Sequence, residues 1–223
     1  MSYYLGHFFV IIYRVMIFLS VAQLCFVIII PILVVAVVLV ALYFLYYKKY
    51  IANNFKKHCY RKIHNIANFN DYYLINNFTF TVDDLSNIVI DHILFGNKYI
   101  FVITDRYIDG DLTGKDSDSD LVVINKNGSK AYAGGNPYLQ SNQLLRRLSV
   151  STGLNSEMMI AITLINDEAR ININSSSKQF FIVQRKKLAK LIKIIESREV
   201  GEINAPRLKE AVQVIASLNL RDK

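Results

Sequence analysis

The stretch "IDHILFGNKYIFVITDRYIDG", Ile90–Gly110, holds two apolar runs joined by "GNK". Runs rich in Ile, Phe and Val, interrupted once by a Gly-containing turn, predict a β-hairpin. Each run also carries charge that packing against a core does not need: Asp91 on the first strand, Asp105 and Arg106 on the second. Regular alternation places Thr104 and Arg106 on one face of the second strand and Asp105 on the other, and sets His92 opposite Asp91 on the first.

Outward from this hairpin, "YYLINNFTF" (72–80) reads as a preceding strand and "IDGDLTGKDSDSD" (108–120) as a polar loop. "LVVIN" (121–125) predicts a further strand, followed by a turn at "KNGSK" (126–130). "NPYLQSNQLLRRLSVSTGL" (136–154) predicts a helix, with Asn136 as cap, Pro137 at its first position and Gly153 at its end. "MMIAITLIN" (158–166) and "QFFIVQ" (179–184) predict two more strands, and helices are expected at about 185–197 and 206–218. Strands in hairpins, then a helix, then further strands describe a mixed α/β sheet with no internal repeat.

The chain has 223 residues, enough for one ordinary domain and an additional segment. Val15–Tyr47 contains 33 residues without a charge. As a helix at roughly 1.5 Å per residue it would be about 50 Å long, more than a bilayer core requires. One span over about 21–47 is expected, with "SYYLGHFFVIIYRV" (2–15) at the opposite interface. A hairpin of two spans turning near Gln23 is the alternative, and it places Arg14 in a first span at a cost of a few kcal/mol. Pro31 is compatible with a kinked crossing. The organisation read from the sequence is a membrane segment at 1–47, a basic juxtamembrane helix at 48–70, the hairpin-containing domain at 71–197 and a C-terminal helix at 198–223.

Lys48, Lys49, Lys56, Lys57, Arg61 and Lys62 follow the apolar run, whereas Arg14 precedes it. The excess of positive charge places residues 48–223 on the cytoplasmic side of the cell membrane. No small-residue cleavage site follows the apolar run, and Leu24 before Cys25 is unsuited to lipoprotein processing. The only cysteines are Cys25 and Cys59, which excludes a disulfide framework.

The net charge of +8 is unevenly distributed. Residues 48–70 carry +6, residues 71–177 carry −5 and residues 178–223 carry +6. Lys48, Lys49, Lys56 and Lys57 suit anionic lipid, at about 1 kcal/mol per juxtamembrane cation. Arg185, Lys186, Lys187 and Lys190 surround Leu188, Leu191, Ile192 and Ile195 at helical spacing, consistent either with a solvated helix face or with phosphate contact. Asp116, Asp118 and Asp120 resemble the start of a calcium loop, but Leu121 stands where Gly is required and Asn127 where a bidentate Glu is required. A solvated loop is the reading that fits.

The succession "YYLINNFTF", "IDHILFG", "YIFVI", "DGDLTG" and "NPYLQSNQ" resembles the nuclease-related domain, NERD, a branch of the PD-(D/E)xK restriction-endonuclease-like superfamily, over roughly Phe55 to Glu196. Asp91, His92, Gly96, Gly110, Asn136, Pro137 and Gln140 carry the likeness. The resemblance implies a mixed-sheet α/β restriction-endonuclease-like core, here preceded by a transmembrane helix. It also implies an Mg²⁺ or Mn²⁺ site built from an acid at Asp91, a Glu-x-Lys pair on the next strand and a Glu on an upstream helix. Such an ion activates water and neutralises charge in phosphoryl chemistry. In this chain Thr104 and Arg106 stand at the Glu and Lys positions, and no acid precedes Asp71. Arg106 can grip a phosphate through two hydrogen bonds but is a poor proton acceptor. Asp105 would rescue the site only if a bulge turned it towards Asp91; alternatively, Asp91 serves structurally by accepting hydrogen bonds near its strand end.

Three functions follow as expectations. The first is nucleic-acid binding, to DNA or RNA, at a degenerate nuclease site beside the lipid bilayer, with Asp91 and Arg106 as catalytic remnants. The second is an active metal-dependent nuclease with Asp91 as metal ligand. The third is a membrane scaffold that binds a protein partner.

Overall fold

The computed structural model describes residues 2–83 and 86–220. The chain divides into two units, 1–53 and 54–223. Position 1 of the expected segment 1–47 and positions 221–223 of the segment 198–223 lie outside the described residues.

The described residues of the first unit are all helical. Helix α1 (Ser2–Asn70) begins here, includes Pro31 and runs through Gln23 without a break, so the backbone does not adopt the alternative turn at that point. Ile29, Ile30, Ile32, Leu33, Val34 and Val35 are all more than half exposed in this unit. Among the described residues no single helix is long and apolar enough to cross a membrane; the bent pair Ile29–Phe44 with Lys49–Asn70 meets that test together.

The second unit is built on a sheet of order β1-β2-β3-β7-β9. Its strands are β1 (Tyr73–Asp83), β2 (Ser86–Phe95), β3 (Ile100–Arg106), β7 (Met159–Ile165) and β9 (Phe180–Gln184). The first three pair antiparallel and the last three parallel, giving the expected mixed sheet. A second sheet, of order β6-β5-β4-β8, is formed by β4 (Asp111–Lys115), β5 (Val122–Ile124), β6 (Lys130–Tyr132) and β8 (Ile171–Asn174). The sequence reading assigned β4 to a polar loop and did not identify β6 or β8. These strands are only 3–5 residues long and contain few buried apolar positions, so hydrophobic pattern barely marks them.

Apolar side chains cover both faces of the larger sheet. On one, Phe55, Cys59, Ile63, Ile66 and Ala67 of α1 pack with Leu188, Ile192 and Ile195 of α3 (Leu188–Glu196) over Leu94, Phe101 and Ile103. On the other, Leu145 and Leu148 of α2 (Pro137–Thr152) pack with Ala211 and Ile215 of α4 (Ala205–Ser217) over Ile93, Phe95, Ile100 and Val102. Burying one helical stripe on each face of a sheet is what makes this α/β/α layering stable. The segments read separately as 48–70 and 198–223 therefore both supply core residues to the second unit.

Helix α2 has the ends read from its sequence. The Asn136 side chain accepts from Tyr138 N, Pro137 is the first helical residue, and Gly153 closes the helix at φ 69°. That left-handed conformation is unfavourable for residues with a Cβ, which explains glycine there.

One irregularity decides the geometry of the site. Asn76 pairs with His92 and Phe78 with Ile90, leaving Asn77 and Asp91 between two matched pairs; Asn77 has φ 52°. Leu74 and Leu94 contact the α1-side core, whereas Phe78, Phe80 and Ile90 lie in the α2-side core. Both strands thus exchange faces at one point, each by a single extra residue, and Asn tolerates the left-handed conformation needed there.

Candidate functional site

Asp91 does not follow the alternation of β2, because it is the extra residue at which that strand changes face. The β2–β3 ladder ends at His92 paired with Ile103, and beyond it the backbone N–H of Asp105 has no strand partner on that side. Asp91 Oδ2 accepts that N–H at 2.8 Å. A carboxylate thus replaces a missing ladder bond, the structural role expected for an acid at a strand end. Its other oxygen, Oδ1, accepts from Lys56 Nζ on α1 at 2.8 Å. This hydrogen bond raises the Lys56 pKa above its ordinary value.

Asp105 keeps the face of Ile103 and points to the α1 side. No bulge turns it; the irregularity falls on Asp91 instead. Its side chain is fully buried, with Oδ2 3.0 Å from His92 Nε2, while His92 Nδ1 lies 2.6 Å from Asn76 Oδ1. Burial raises the Asp105 pKa, and the His92 hydrogen bond partly offsets the shift. Its Oδ1 is buried without an N–H or O–H partner, and the weakly donating Cys59 thiol lies beside the carboxylate. Burial foremost, then the Asp105 charge, push the thiol pKa far up, so Cys59 is no nucleophile.

Thr104 and Arg106 face α2. With Asp105, Pro137, Gln140, Ser141, Leu144 and Thr163 they line a cavity of about 200 Å³. Thr104 Oγ1 is 3.5 Å from Thr163 Oγ1. Arg106 Nη2 donates to the Gly134 carbonyl at 3.1 Å and Nη1 to that of Gly135 at 3.5 Å. Among the described residues no carboxylate forms an ion pair with Arg106. Burial lowers its pKa, but a guanidinium this basic stays charged. The result is a half-buried cation beside hydroxyl groups and an amide, an environment suited to an oxyanion.

The remaining motif residues brace this region. Asn136 Nδ2 donates to the carbonyls of Lys115, Asp116 and Asp118 at 3.2, 3.1 and 2.7 Å while its oxygen caps α2. Gln140 Nε2 donates to Gly134 O at 3.3 Å. Gly110 lies against the Ile124 carbonyl at the start of β4, and Gly96 against the Glu196 carboxylate. Asp116, Asp118 and Asp120 accept from the backbone N–H groups of Ser176, Lys115 and Gly135, so they tie loops together rather than converging as a calcium site.

Of the expected phosphate or lipid contacts, Arg185 is committed to Asp167 through Nε at 3.2 Å and Nη2 at 2.6 Å. Lys186 donates its backbone N–H to the same carboxylate. Lys187 and Lys190 are exposed, as are Lys49 and Lys57; the Lys48 side chain lies outside the described ones.

The donor set does not fit a divalent metal. Both Asp91 oxygens are engaged, one by an ammonium; Asp105 is paired with His92; and Thr104 and Arg106 face away from both acids. Among the described residues no group of three or more His, Cys, Asp or Glu side chains is arranged to hold an ion. The Lys56–Asp91 and His92–Asp105 pairs were not anticipated from sequence. Alternation already placed His92 and Asp105 on a common face, whereas Lys56 required the position of α1 over the sheet.

A mixed α/β domain whose antiparallel hairpin gathers ionisable residues at one strand end fits the nuclease-related class. The family model described as nuclease-related domain, NERD, matches residues 51–162, half of the chain, and the chain belongs to that family. No curated protein and no solved structure matches it.

Proposed function

We propose that this chain is a membrane-anchored nuclease-related domain, facing the cytoplasm, that binds nucleic-acid phosphate at a degenerate site and does not cut by a metal-dependent route. The observation that carries the reading is Arg106: a half-buried guanidinium that forms no ion pair among the described residues, although the Asp120 charge acts on it, at a cavity edged by Thr104, Ser141, Gln140 and Thr163. Family membership supports nucleic acid as the source of the phosphate. The exposed apolar side chains of Ile29–Phe44 and the lysines that follow support the anchor and its orientation.

The test is fluorescence anisotropy of labelled DNA and RNA oligonucleotides with the full chain in detergent micelles, across a series of salt concentrations. Affinity falls steeply with salt, and Arg106→Gln weakens it about tenfold while reducing the salt slope by about one. Oligonucleotides incubated with Mg²⁺ or Mn²⁺ remain intact. Salt-independent binding, an unaffected Arg106→Gln variant, or cleavage abolished by Asp91→Ala would each overturn the proposal.

A further inference from the structure

We propose that the cavity between α1 and α3 is a nucleotide site, in which a base stacks against Phe69 and Tyr72 and the phosphate is held by Lys62 and Lys193. It lies on the α1-side face of the larger sheet, whereas Arg106 faces α2, and the inference does not rest on the reading of that residue.

The cavity measures about 500 Å³. Sites for small molecules run from roughly 300 to 1,000 Å³. Ile66 and Ile192, both buried in the α1-side core, give it an apolar lining. Phe69 lines the same cavity yet is 88% exposed, and the half-buried Tyr72 stands beside it. An acyl chain needs an enclosed slot to leave water, whereas a ring this open suits a planar group that carries its own polar edge. A nucleobase is such a group, and aromatic side chains hold bases by stacking.

The charge at this cavity matches the other half of a nucleotide. Lys62 lines it from α1 and Lys193 from α3, and among the described residues neither forms an ion pair. The acid at the cavity, Glu196, is committed elsewhere: Oε2 accepts from Lys98 N at 3.0 Å and Oε1 is buried. Burial raises its pKa, so it opposes an incoming anion less than an exposed carboxylate does. Lys62, Ile66 and Phe69 recur at helical spacing on one face of α1, with the lysine and the ring about 10 Å apart along the axis. A nucleotide extended along α1 covers that span from phosphate to base.

The experiment is calorimetric titration of the full chain, held in nanodiscs of zwitterionic lipid, with adenosine monophosphate, adenosine and inorganic phosphate. Adenosine monophosphate binds once per chain at about 100 μM. Adenosine and phosphate each bind at least about tenfold more weakly, because each uses half of the site. Lys62→Gln/Lys193→Gln weakens the nucleotide about tenfold and leaves adenosine unchanged, whereas Phe69→Ala weakens both. None of these three side chains belongs to the buried core, and Arg106→Gln binds the nucleotide as wild type does. No uptake of the nucleotide, phosphate binding as tightly as the nucleotide, or an affinity indifferent to the lysines and to Phe69 would overturn the inference. So would uptake of an anionic lysophospholipid in place of the nucleotide, which would make the cavity a lipid site. Uptake abolished by Arg106→Gln would overturn it in favour of the α2 cavity, so the two readings fail separately.

Discussion

Replacing Asn136 with alanine removes one side chain that serves four backbone groups. Asn136 is 1% exposed; its oxygen caps α2 through Tyr138 N at 3.0 Å and its Nδ2 supplies the carbonyls of Lys115, Asp116 and Asp118. Loss of an N-cap costs about 1 kcal/mol. Leaving the partly buried carbonyls short of a donor costs about 1–3 kcal/mol more. The expected destabilisation is about 3 kcal/mol, which for a unit the size of 54–223 lowers Tm by roughly 6–12 °C. Thermal unfolding by circular dichroism in detergent micelles measures it. Asn136→Asp separates the two contributions: aspartate caps as well as asparagine, but sets an oxygen against three carbonyl oxygens. Asn136→Asp is therefore expected to be at least as destabilised as Asn136→Ala. An aspartate variant that melts with wild type would show that only the cap matters and would refute the carbonyl argument.

Asp105→Asn should change how stability depends on pH. Burial raises the folded pKa of Asp105 above its unfolded value, so the contribution of this group to stability is fully present below the unfolded pKa and is lost as pH rises through the folded pKa. The asparagine variant lacks this decline, and its Tm relative to wild type rises with pH above about 4; parallel Tm curves would count against burial as the dominant influence. Gly96→Ala drives a Cβ into the Glu196 carboxylate and onto the Phe101 ring, costing about 1–3 kcal/mol. Glu196 Oε2 also accepts from Lys98 N at 3.0 Å, so Glu196→Ala is destabilising by itself. The double variant loses less than the sum of the two, and strict additivity in a denaturation cycle would dismiss the contact.

The hairpin and α2 were legible because their signals are local. Asn136, Pro137 and Gly153 announce a helix through their own conformational preferences, and Phe55, Cys59, Ile63 and Ile66 announce a buried stripe through spacing. In β8, Ile171–Asn174, apolar and polar residues alternate over four residues, a signal that was present but short. The site was harder to read because alternation, usually the safest guide along a strand, fails at the residue that matters most. The register is the same on either side of Asp91, which stands opposite Asn77, so only the placement of Leu94 and Ile90 in different cores reveals the change of face. Arg106 was placed correctly opposite Asp105, yet its cavity depends on residues of α2 some thirty positions later in the chain.

The paired extra residues Asn77 and Asp91 also govern which changes of length this hairpin can survive. Deleting either alone would turn half a strand inside out, exchanging buried Phe78 and Phe80, or buried Ile90, for polar neighbours. Deleting both would restore two ordinary strands and leave the core intact, but would remove the carboxylate that meets Lys56. A change of length at this point that spares the core must therefore take one residue from each strand at once.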